Sequence, residues 1–319
     1  MRCRVIVLLL FISAAAFAQR PSIPEISYES IPDFLKLPEN MYLGEAAGVA
    51  VNSKGDVFVY HRGAHTELLE FDAHGNYLRT IGSGLYGFVF AHSVKIDRYD
   101  NIWCVDEGSN MVIKFNPEGR VEMVLGRRPE PVEHVLPGQP APPPPEWQFN
   151  RPTDVAFDSQ GDIFVSDGYV NSRVVKYDKF GNRLKEWGSR GAAPGQFHTP
   201  HTMVVDAQDR LYVGDRENRR IQVFDTNGKF ITQWTNVGAP WALCITPPPH
   251  QVIYSSDSIP GRIYKLNLNG KVLGVFGKAG KQLGEFGWIH EMACPSENVL
   301  YVGELLNWRV QKLVLHPAE

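Results

Sequence analysis

Short apolar runs with period-two alternation recur along the chain as one repeated unit. The clearest copy is VAFDSQGDIFVSDGYVNSRVVKYDKFGNRLKEWG, from Val155 to Gly188. It contains four short predicted strands joined by polar turns, one of them of the D-x-x-G type, and it closes with Trp-Gly. Six related units fill the chain, and four strands in about 40 to 50 residues are typical of a β-propeller blade. The pattern predicts an all-β fold, a six-bladed propeller of one domain.

The residue that ends the second strand of each unit marks the register of the repeats. These residues are His61, Asp106, Asp167, Asp215, Asp257 and Glu304, with separations of 45, 61, 48, 42 and 47. The separation of 61 contains the proline-rich insertion Pro129–Pro145. Because proline cannot donate to a sheet ladder, we expect a surface loop there, at the rim of the ring. The approximate blade limits are 44–82, 90–126, 149–188, 197–235, 238–277 and 286–316.

The sixth unit has only three predicted strands. The segment Ile26–Ile31 precedes the first blade and can supply the missing fourth strand. Pairing the two ends of the chain in this way removes an exposed sheet edge. We therefore expect an N-terminal strand to close the ring in the last blade, within a single domain at 19–319.

The first eighteen residues have the features of an export signal. Arg2 and Arg4 precede the apolar run Val5–Ala18, which ends in Ala-Phe-Ala, an A-x-A cleavage site. The run is too short to span a bilayer. We expect an exported protein, periplasmic or extracellular, with a signal peptide at 1–18; an uncleaved anchor is the alternative.

Charge and cysteine content narrow the class of protein. The chain of 319 residues has 32 Lys and Arg against 35 Asp and Glu, and 11% of its residues are aromatic. This balance argues against a sequence-independent nucleic-acid binder, and the aromatic content argues against disorder. Outside the signal three cysteines remain, so at most one internal disulfide can form. We expect Cys104 and Cys294, which lie in strand-like runs, to be buried apolar residues.

Three histidines recur at one register position in alternate units. His92, His201 and His290 each lie 14 residues before the acidic residue that ends the second strand. The first strand of a blade lines the central channel, so a pseudo-threefold axis relates these positions and the imidazoles converge. Three neutral nitrogen ligands with an open fourth position are typical of a catalytic zinc site. The alternative is three core histidines, each bonded to the backbone of a neighbouring blade.

Polar residues suited to work with a metal fall on the same face, in the loops after the second strands. Arg62 and Arg216 are fixed cations that suit a substrate carboxylate. Tyr169, beside a divalent metal and an arginine, is expected to have a pKa far below the usual value of about 10. The alternatives are a packed loop aromatic for Tyr169 and a salt bridge to Glu217 or Asp215 for Arg216.

Four segments carry a resemblance to a known family. They are YHRG at 60–63, VSDGYVNSR at 165–173, PHT at 200–202 and DRENRRIQVF at 215–224. These motifs resemble those of the peptidyl-α-hydroxyglycine α-amidating lyases, a branch of the NHL-repeat propellers, and the similarity spans nearly all six blades. The resemblance implies a zinc ion held by the three histidines. It also implies that Tyr169 and Arg62 are catalytic and that Arg216 is a further active-site arginine.

The resemblance further implies a structural calcium ion in the channel. Glu291 stands where the family has an aspartate ligand, and Val49 and Val94 stand at the positions that supply carbonyl ligands. The sequence also departs from the family at two places. Trp288 replaces a methionine two residues before the third histidine, and Val170 replaces a cysteine typical of the animal enzymes.

The implied reaction cleaves the N–C bond of an N-acyl-α-hydroxyglycine to a primary amide and glyoxylate. In it, zinc acts as a Lewis acid, Tyr169 takes the hydroxyl proton, and Arg62 orients the carboxylate. The expected substrate is a small molecule or peptide with a carboxylate, and we expect a monomer without nucleic-acid binding or membrane insertion after signal cleavage. Two alternatives stay open: a metal-dependent propeller hydrolase or lactonase, and a non-catalytic NHL scaffold that recognises a protein or glycan.

Overall fold

The computed structural model describes residues 23–128 and 148–316. Twenty-four strands in these two ranges form six antiparallel sheets of four strands each. The predicted signal peptide at 1–18 and the insertion Pro129–Pro145 lie outside the described residues. Within the two ranges, no helix has the length and apolar character needed to cross a membrane.

The strands of each blade follow one another along the chain and are joined by hairpins. The last blade differs, because the first strand of the chain is its fourth strand. The strands are β1 (Ser27–Ile31), β2 (Glu45–Val51), β3 (Val57–Arg62), β4 (Thr66–Phe71), β5 (Tyr77–Ile81), β6 (Ala91–Ile96), β7 (Ile102–Asp106), β8 (Met111–Phe115), β9 (Val121–Gly126), β10 (Asp154–Phe157), β11 (Ile163–Asp167), β12 (Arg173–Tyr177), β13 (Arg183–Trp187), β14 (Pro200–Val205), β15 (Arg210–Asp215), β16 (Arg220–Asp225), β17 (Phe230–Trp234), β18 (Pro240–Ile245), β19 (Ile253–Asp257), β20 (Arg262–Leu266), β21 (Val272–Phe276), β22 (Ile289–Ser296), β23 (Val299–Glu304) and β24 (Arg309–His316). The blades are β2–β5, β6–β9, β10–β13, β14–β17, β18–β21 and β22–β24 with β1.

The last blade is formed by both ends of the described chain. Its strand order is β1-β24-β23-β22, and β1 pairs with β24 from Ser27 opposite His316 to Ile31 opposite Lys312. The backbone groups along β24 are thereby paired instead of forming an exposed edge. The predicted six-bladed all-β propeller, closed by an N-terminal strand, is confirmed.

Polar turns fix the hairpins that the sequence pattern marks. The Asp178 carboxylate accepts hydrogen bonds from the backbone N–H groups of Phe180 and Asn182. Gly181 in the same turn has φ of +86°, a conformation that side chains with a Cβ rarely adopt. The turn therefore reverses the chain without leaving backbone donors unpaired.

The residues that end the second strands hold the loops on one face of the ring. Asp106 is fully buried and accepts hydrogen bonds from the Tyr60 hydroxyl and the Ser109 backbone N–H. In the first blade His61 takes this place, and the Gly44 backbone N–H donates to its Nδ1. Burial lowers the pKa of His61 to about 4, so its imidazole is neutral. These positions therefore stabilise the loops that carry the candidate site.

The first strands of the six blades surround the central channel. Neighbouring first strands contact one another around the ring, from β2 to β6 and onward to β22. At one end the channel widens into a cavity of about 350 Å³ lined by first-strand residues. Apolar side chains pack between adjacent blades to form the core. A side chain on a first strand therefore lies inside the ring, close to first strands of other blades.

Two of the three cysteines outside the signal form a disulfide. Cys244 on β18 bonds to Cys294 on β22, with their Cα atoms 5.9 Å apart. Cys104 is buried and free, as expected. The expectation of a simple apolar role for Cys294 is wrong, because β18 and β22 are neighbours in the ring although the two cysteines are 50 residues apart.

Candidate metal centre

The three histidines that share a register position come together inside the channel. His92 lies on β6, His201 on β14 and His290 on β22. Each is buried, and one ligand atom of each lies within 4.8 Å of those of the other two. This trio, called the histidine layer below, could hold a metal ion.

A backbone carbonyl of the next blade orients each imidazole of the histidine layer. The Nδ1-to-oxygen distances are 2.6 Å from His92 to Thr153, 2.6 Å from His201 to Trp241 and 2.7 Å from His290 to Ala47. A carbonyl only accepts, so each Nδ1 carries the hydrogen and each Nε2 keeps its lone pair. The backbone bonds that the sequence suggested as an alternative are present, and they prepare Nε2 for a metal.

Burial keeps the histidine layer uncharged. It lowers the pKa of His290 to about 3, with a smaller contribution from the positive charge of Arg62. The pKa of His92 lies well below its usual value, and burial is again the main cause. The next cause is the repulsion that His92 would feel from the other two imidazoles if they were protonated. Neutral imidazole is the form that binds a metal. The three Nε2 atoms could therefore hold a metal ion.

The Tyr169 hydroxyl lies directly beside these ligand atoms. Its oxygen is 3.3 Å from Nε2 of His92 and 3.3 Å from Nε2 of His201. The guanidinium carbon of Arg151 lies 4.6 Å from the centroid of the tyrosine ring, and that of Arg216 lies 5.4 Å from it. The residue is thus part of the metal centre rather than a loop aromatic packed on its own blade.

The charges of the chain alone do not ionise this tyrosine. Burial raises the pKa of Tyr169, and the positive charge of Arg216 only partly opposes the rise. The low pKa expected from the sequence therefore requires a further positive charge. A divalent cation held by the histidine layer acts in that direction, because a nearby cation favours phenolate.

Arg62 is held rigidly at the end of β3. Its Nε donates to the carbonyl of Ala91 at 2.6 Å, and one terminal nitrogen donates to Glu45 at 3.2 Å. Its guanidinium carbon lies 3.8 Å from the ring centroid of Phe90, a cation–π distance. The other terminal nitrogen lies 3.9 Å from the Glu107 carboxylate. Arg62 is therefore a fixed cation at the channel mouth.

Two residues of this mouth, Glu107 and Arg151, were not predicted from the sequence. Glu107 is buried and accepts hydrogen bonds from two nitrogens of Arg151, one of them Nε at 2.7 Å. A signal for Glu107 is present in the sequence. It directly follows the acidic residue that ends a second strand, as Arg216 does, and Arg62 has the same place in the first blade. The shared register position could have identified Glu107.

Arg216 contacts both a charged residue and an aromatic residue at the channel mouth. Its Nε donates to Glu217 at 2.9 Å, so the salt bridge suggested as an alternative is present. Its guanidinium carbon also lies 4.4 Å from the ring centroid of Trp241. The rings of Trp241 and Trp288 are 5.6 Å apart, and Trp241 lies 5.5 Å from the His201 ring. Two tryptophans therefore form one wall of the mouth.

The residues expected to hold calcium do not fit a metal ion in this chain. The Glu291 carboxylate accepts hydrogen bonds from the Lys95 ammonium and, at 3.2 Å, from the Val94 backbone N–H. The same ammonium lies 3.4 Å from the buried Asp154 carboxylate. Val49 and Lys95 both line the cavity at the far end of the channel. A lysine thus stands between two carboxylates; Lys95, Asp154 and Glu291 are called the lysine layer below.

The blades are of a known type. The NHL repeat family matches residues 149–177 and 197–224, in the third and fourth blades. A solved structure titled "Streptogramin B lyase structure" has a TM-score of 0.61 and 14% sequence identity, covering 91% of this chain and 98% of that chain. The protein is therefore a six-bladed β-propeller with NHL repeats.

Relatives of this chain include proteins named as amidating lyases. "Probable peptidyl-alpha-hydroxyglycine alpha-amidating lyase pgal-1" of Caenorhabditis elegans is 26% identical, over 86% of this chain and 83% of that protein. "Peptidyl-alpha-hydroxyglycine alpha-amidating lyase 1" of Drosophila melanogaster is 31% identical, over 71% and 45%. "Peptidyl-glycine alpha-amidating monooxygenase B" of Xenopus laevis is 29% identical over 83% of this chain, which spans only 33% of that relative's length. The resemblance predicted from the sequence is confirmed.

Proposed function

We propose that this protein is a zinc-dependent lyase that cleaves the N–C bond of an N-acyl- or peptidyl-α-hydroxyglycine. The products are a primary amide and glyoxylate. The observation that carries this proposal is the position of the Tyr169 hydroxyl, 3.3 Å from Nε2 of both His92 and His201. The homologues named as amidating lyases support the same class of reaction.

The histidine layer would hold the zinc ion through its three Nε2 atoms. When bound, zinc supplies a Lewis acid that polarises the substrate hydroxyl and stabilises its oxyanion. The three carbonyls that accept from Nδ1 fix the rings, so the ligand atoms are oriented before the metal binds.

Arg62 and Arg216 bind and orient the substrate carboxylate. Both guanidinium groups are largely buried and held by other contacts, so they lose little conformational freedom when a substrate binds. The planar donor pairs of guanidinium match the two oxygens of a carboxylate. Fixing the carboxylate also fixes the adjacent carbinol carbon, whose hydroxyl must face the metal and Tyr169.

Tyr169 moves the proton in the proposed reaction. Its oxygen takes the proton of the substrate hydroxyl, and the electron pair left on that oxygen forms the carbonyl of glyoxylate as the C–N bond breaks. The departing amide nitrogen then receives the same proton from Tyr169, so no external reactant is consumed. Arg151 and Arg216, on the tyrosine ring, stabilise the phenolate that takes the proton and that forms again when the proton is returned.

We also propose an exported, monomeric protein that acts on small or peptide substrates with a carboxylate. Export is supported by the signal pattern at 1–18. A monomer is supported by the closed ring, in which β1 covers the edge of the last blade. The near-neutral charge supports the absence of nucleic-acid binding.

Metal analysis combined with a product assay tests the proposed function. We expect about one zinc per chain, lost in His201→Ala, and glyoxylate release from α-hydroxyhippurate. Tyr169→Phe should keep the zinc and lose turnover, whereas Tyr99→Phe, at an exposed position, should keep both. Full activity in Tyr169→Phe would remove this residue from the mechanism. Lactone hydrolysis without glyoxylate release would favour a hydrolase, and a protein that binds no metal would favour a binding scaffold.

A further inference from the structure

Lys95 brings a buried ammonium to the point where three blades meet inside the channel. The residue lies on β6, and its ammonium donates to Glu291 on β22. It also lies 3.4 Å from Asp154 at the start of β10. Both carboxylates are buried. One side chain therefore joins the second, third and sixth blades.

The carboxylate oxygens of Asp154 are fully engaged by donors of the chain itself. Oδ1 accepts from the Ser93 hydroxyl at 2.6 Å and from the Val155 backbone N–H at 2.9 Å. Oδ2 accepts from the Met203 backbone N–H at 2.7 Å and from the Thr202 hydroxyl at 3.1 Å, and it also faces the Lys95 ammonium. A calcium ion needs six to eight oxygen ligands with free lone pairs. This carboxylate has no such capacity left.

The electrostatics support a charged lysine at this position. Burial alone would lower the pKa of Lys95, but the negative charges of Asp154 and Glu291 outweigh it and raise the pKa. Burial raises the pKa of Glu291 to about 8, and the Lys95 ammonium opposes this rise. Two buried acidic groups without a cation would be unfavourable, so the site favours a positive charge. The chain supplies that charge covalently.

We propose that the Lys95 ammonium is the built-in second cation of this protein. It stands where a divalent ion would otherwise neutralise Asp154 and Glu291, and it joins the inner strands without a metal. The protein therefore requires one metal ion, at the histidine layer, and its fold is independent of calcium.

The lysine layer also positions the metal ligands above it. Glu291 directly follows His290 on β22, and Asp154 directly follows Thr153, whose carbonyl orients His92. Anchoring these two residues therefore fixes the backbone from which a ligand and an orienting carbonyl project. Substitution of Lys95 should weaken zinc binding about tenfold, as loss of a supporting contact around a metal does.

The test removes the ammonium and asks whether a calcium site appears. The zinc-loaded full chain is heated in calcium-free buffer and in millimolar calcium chloride, and calcium binding is measured by isothermal titration calorimetry. Wild type should show neither a shift in Tm nor binding heat. Lys95→Ala, which frees the Glu291 carboxylate and leaves Asp154 without its counterion, should bind calcium and gain about 3 °C or more in Tm when calcium is added.

Matched variants make each outcome decisive. Lys114→Ala removes a lysine from the same blade, where it pairs with Glu122 at 2.8 Å, and should show no calcium response. If Lys95→Ala does not fold, Lys95→Ser is expressed with and without calcium, and folding only with calcium supports the proposal. Calcium binding by wild type, or a folded Lys95→Ala that binds none, would overturn it. If neither variant folds, the wild-type titration decides alone.

Discussion

The histidine layer and the lysine layer are both buried in the channel, but they are stabilised there in opposite ways. The histidine layer stays neutral, because burial lowers each pKa by more than the carbonyls that accept from Nδ1 raise it. The lysine layer stays charged, because Lys95 lies between two carboxylates. The difference shows why only the first layer suits a metal. Its three Nε2 lone pairs point to one place, whereas the carboxylates of the lysine layer already hold an internal cation.

The largest expected effect is acid sensitivity of the histidine layer in the metal-free protein. The pKa of His290 is about 3 in the folded state against 6.5 in an unfolded chain, so the unfolded state binds more protons between these values. The free energy of unfolding should therefore fall as the pH drops from 6.5 toward 3, by about 4 kcal/mol from this residue, and stay level above 6.5. Urea denaturation across this pH range measures it.

Two controls separate this effect from general acid unfolding. Bound zinc should protect the layer, because protons must displace the metal before the imidazoles can become charged. His74→Gln changes an exposed histidine and should leave the pH dependence as it is. Equal acid sensitivity with and without zinc would show that the histidine layer does not hold the metal.

The next effect concerns the stability carried by the lysine layer. Asp154→Asn keeps the shape of the side chain but removes one of the two charges that face Lys95. The free energy of unfolding should fall by about 3 kcal/mol, because a buried ammonium loses a partner. Equilibrium urea denaturation of the metal-free protein at pH 7.5 measures the change.

His201→Gln provides the matched change in the other layer. It replaces a neutral buried side chain with another, so the metal-free protein should lose only about 1 kcal/mol. Similar losses in the two variants would contradict the division of roles between the layers. Zinc affinity should respond in the opposite order, falling much more in His201→Gln than in Asp154→Asn.

A smaller effect is expected at Glu107, which lies between two arginines of the mouth. Glu107→Gln keeps the shape but removes the counterion of Arg151 and of Arg62. Arg151 loses the partner that fixes it and Arg62 loses one of its contacts, so kcat/KM should fall about tenfold, mainly through KM. Glu107 also raises the pKa of Tyr169, after the larger effect of burial. The lower pH limit of turnover should therefore shift to lower pH in the variant.

Steady-state kinetics against pH check this prediction. Glu122→Gln, at an exposed carboxylate on β9 that pairs with Lys114, serves as the control. A purely structural role for Glu107 would lower stability without moving the pH profile, and that outcome would contradict a positioning role.

The sequence predicted most of the fold because a propeller repeats one local pattern. Equal offsets of 14 residues were enough to bring His92, His201 and His290 together, since equivalent strands face one channel. The lysine layer could not be predicted in this way. Glu291 and Lys95 are 196 residues apart and stand at different register positions, so their contact depends on how far each side chain reaches. The pairing of Cys244 with Cys294 was not predicted either, because it joins strands of two neighbouring blades that are 50 residues apart in the chain.

The smallest expected effect tests the wall of the mouth that Trp241 and Trp288 form. Trp288 is 40% exposed and its ring lies 5.6 Å from that of Trp241. Trp288→Met should change the free energy of unfolding by less than about 1 kcal/mol, because little buried area is lost. It should widen the mouth and shift the kcat/KM ratio of peptidyl to small acyl substrates about threefold toward the peptidyl ones. Trp308→Met, at an exposed tryptophan of the same blade with a similar positive φ, should leave the ratio unchanged. Equal ratios in both variants would mean that the acyl group does not pass this wall, and that the charged half of the mouth alone selects the substrate.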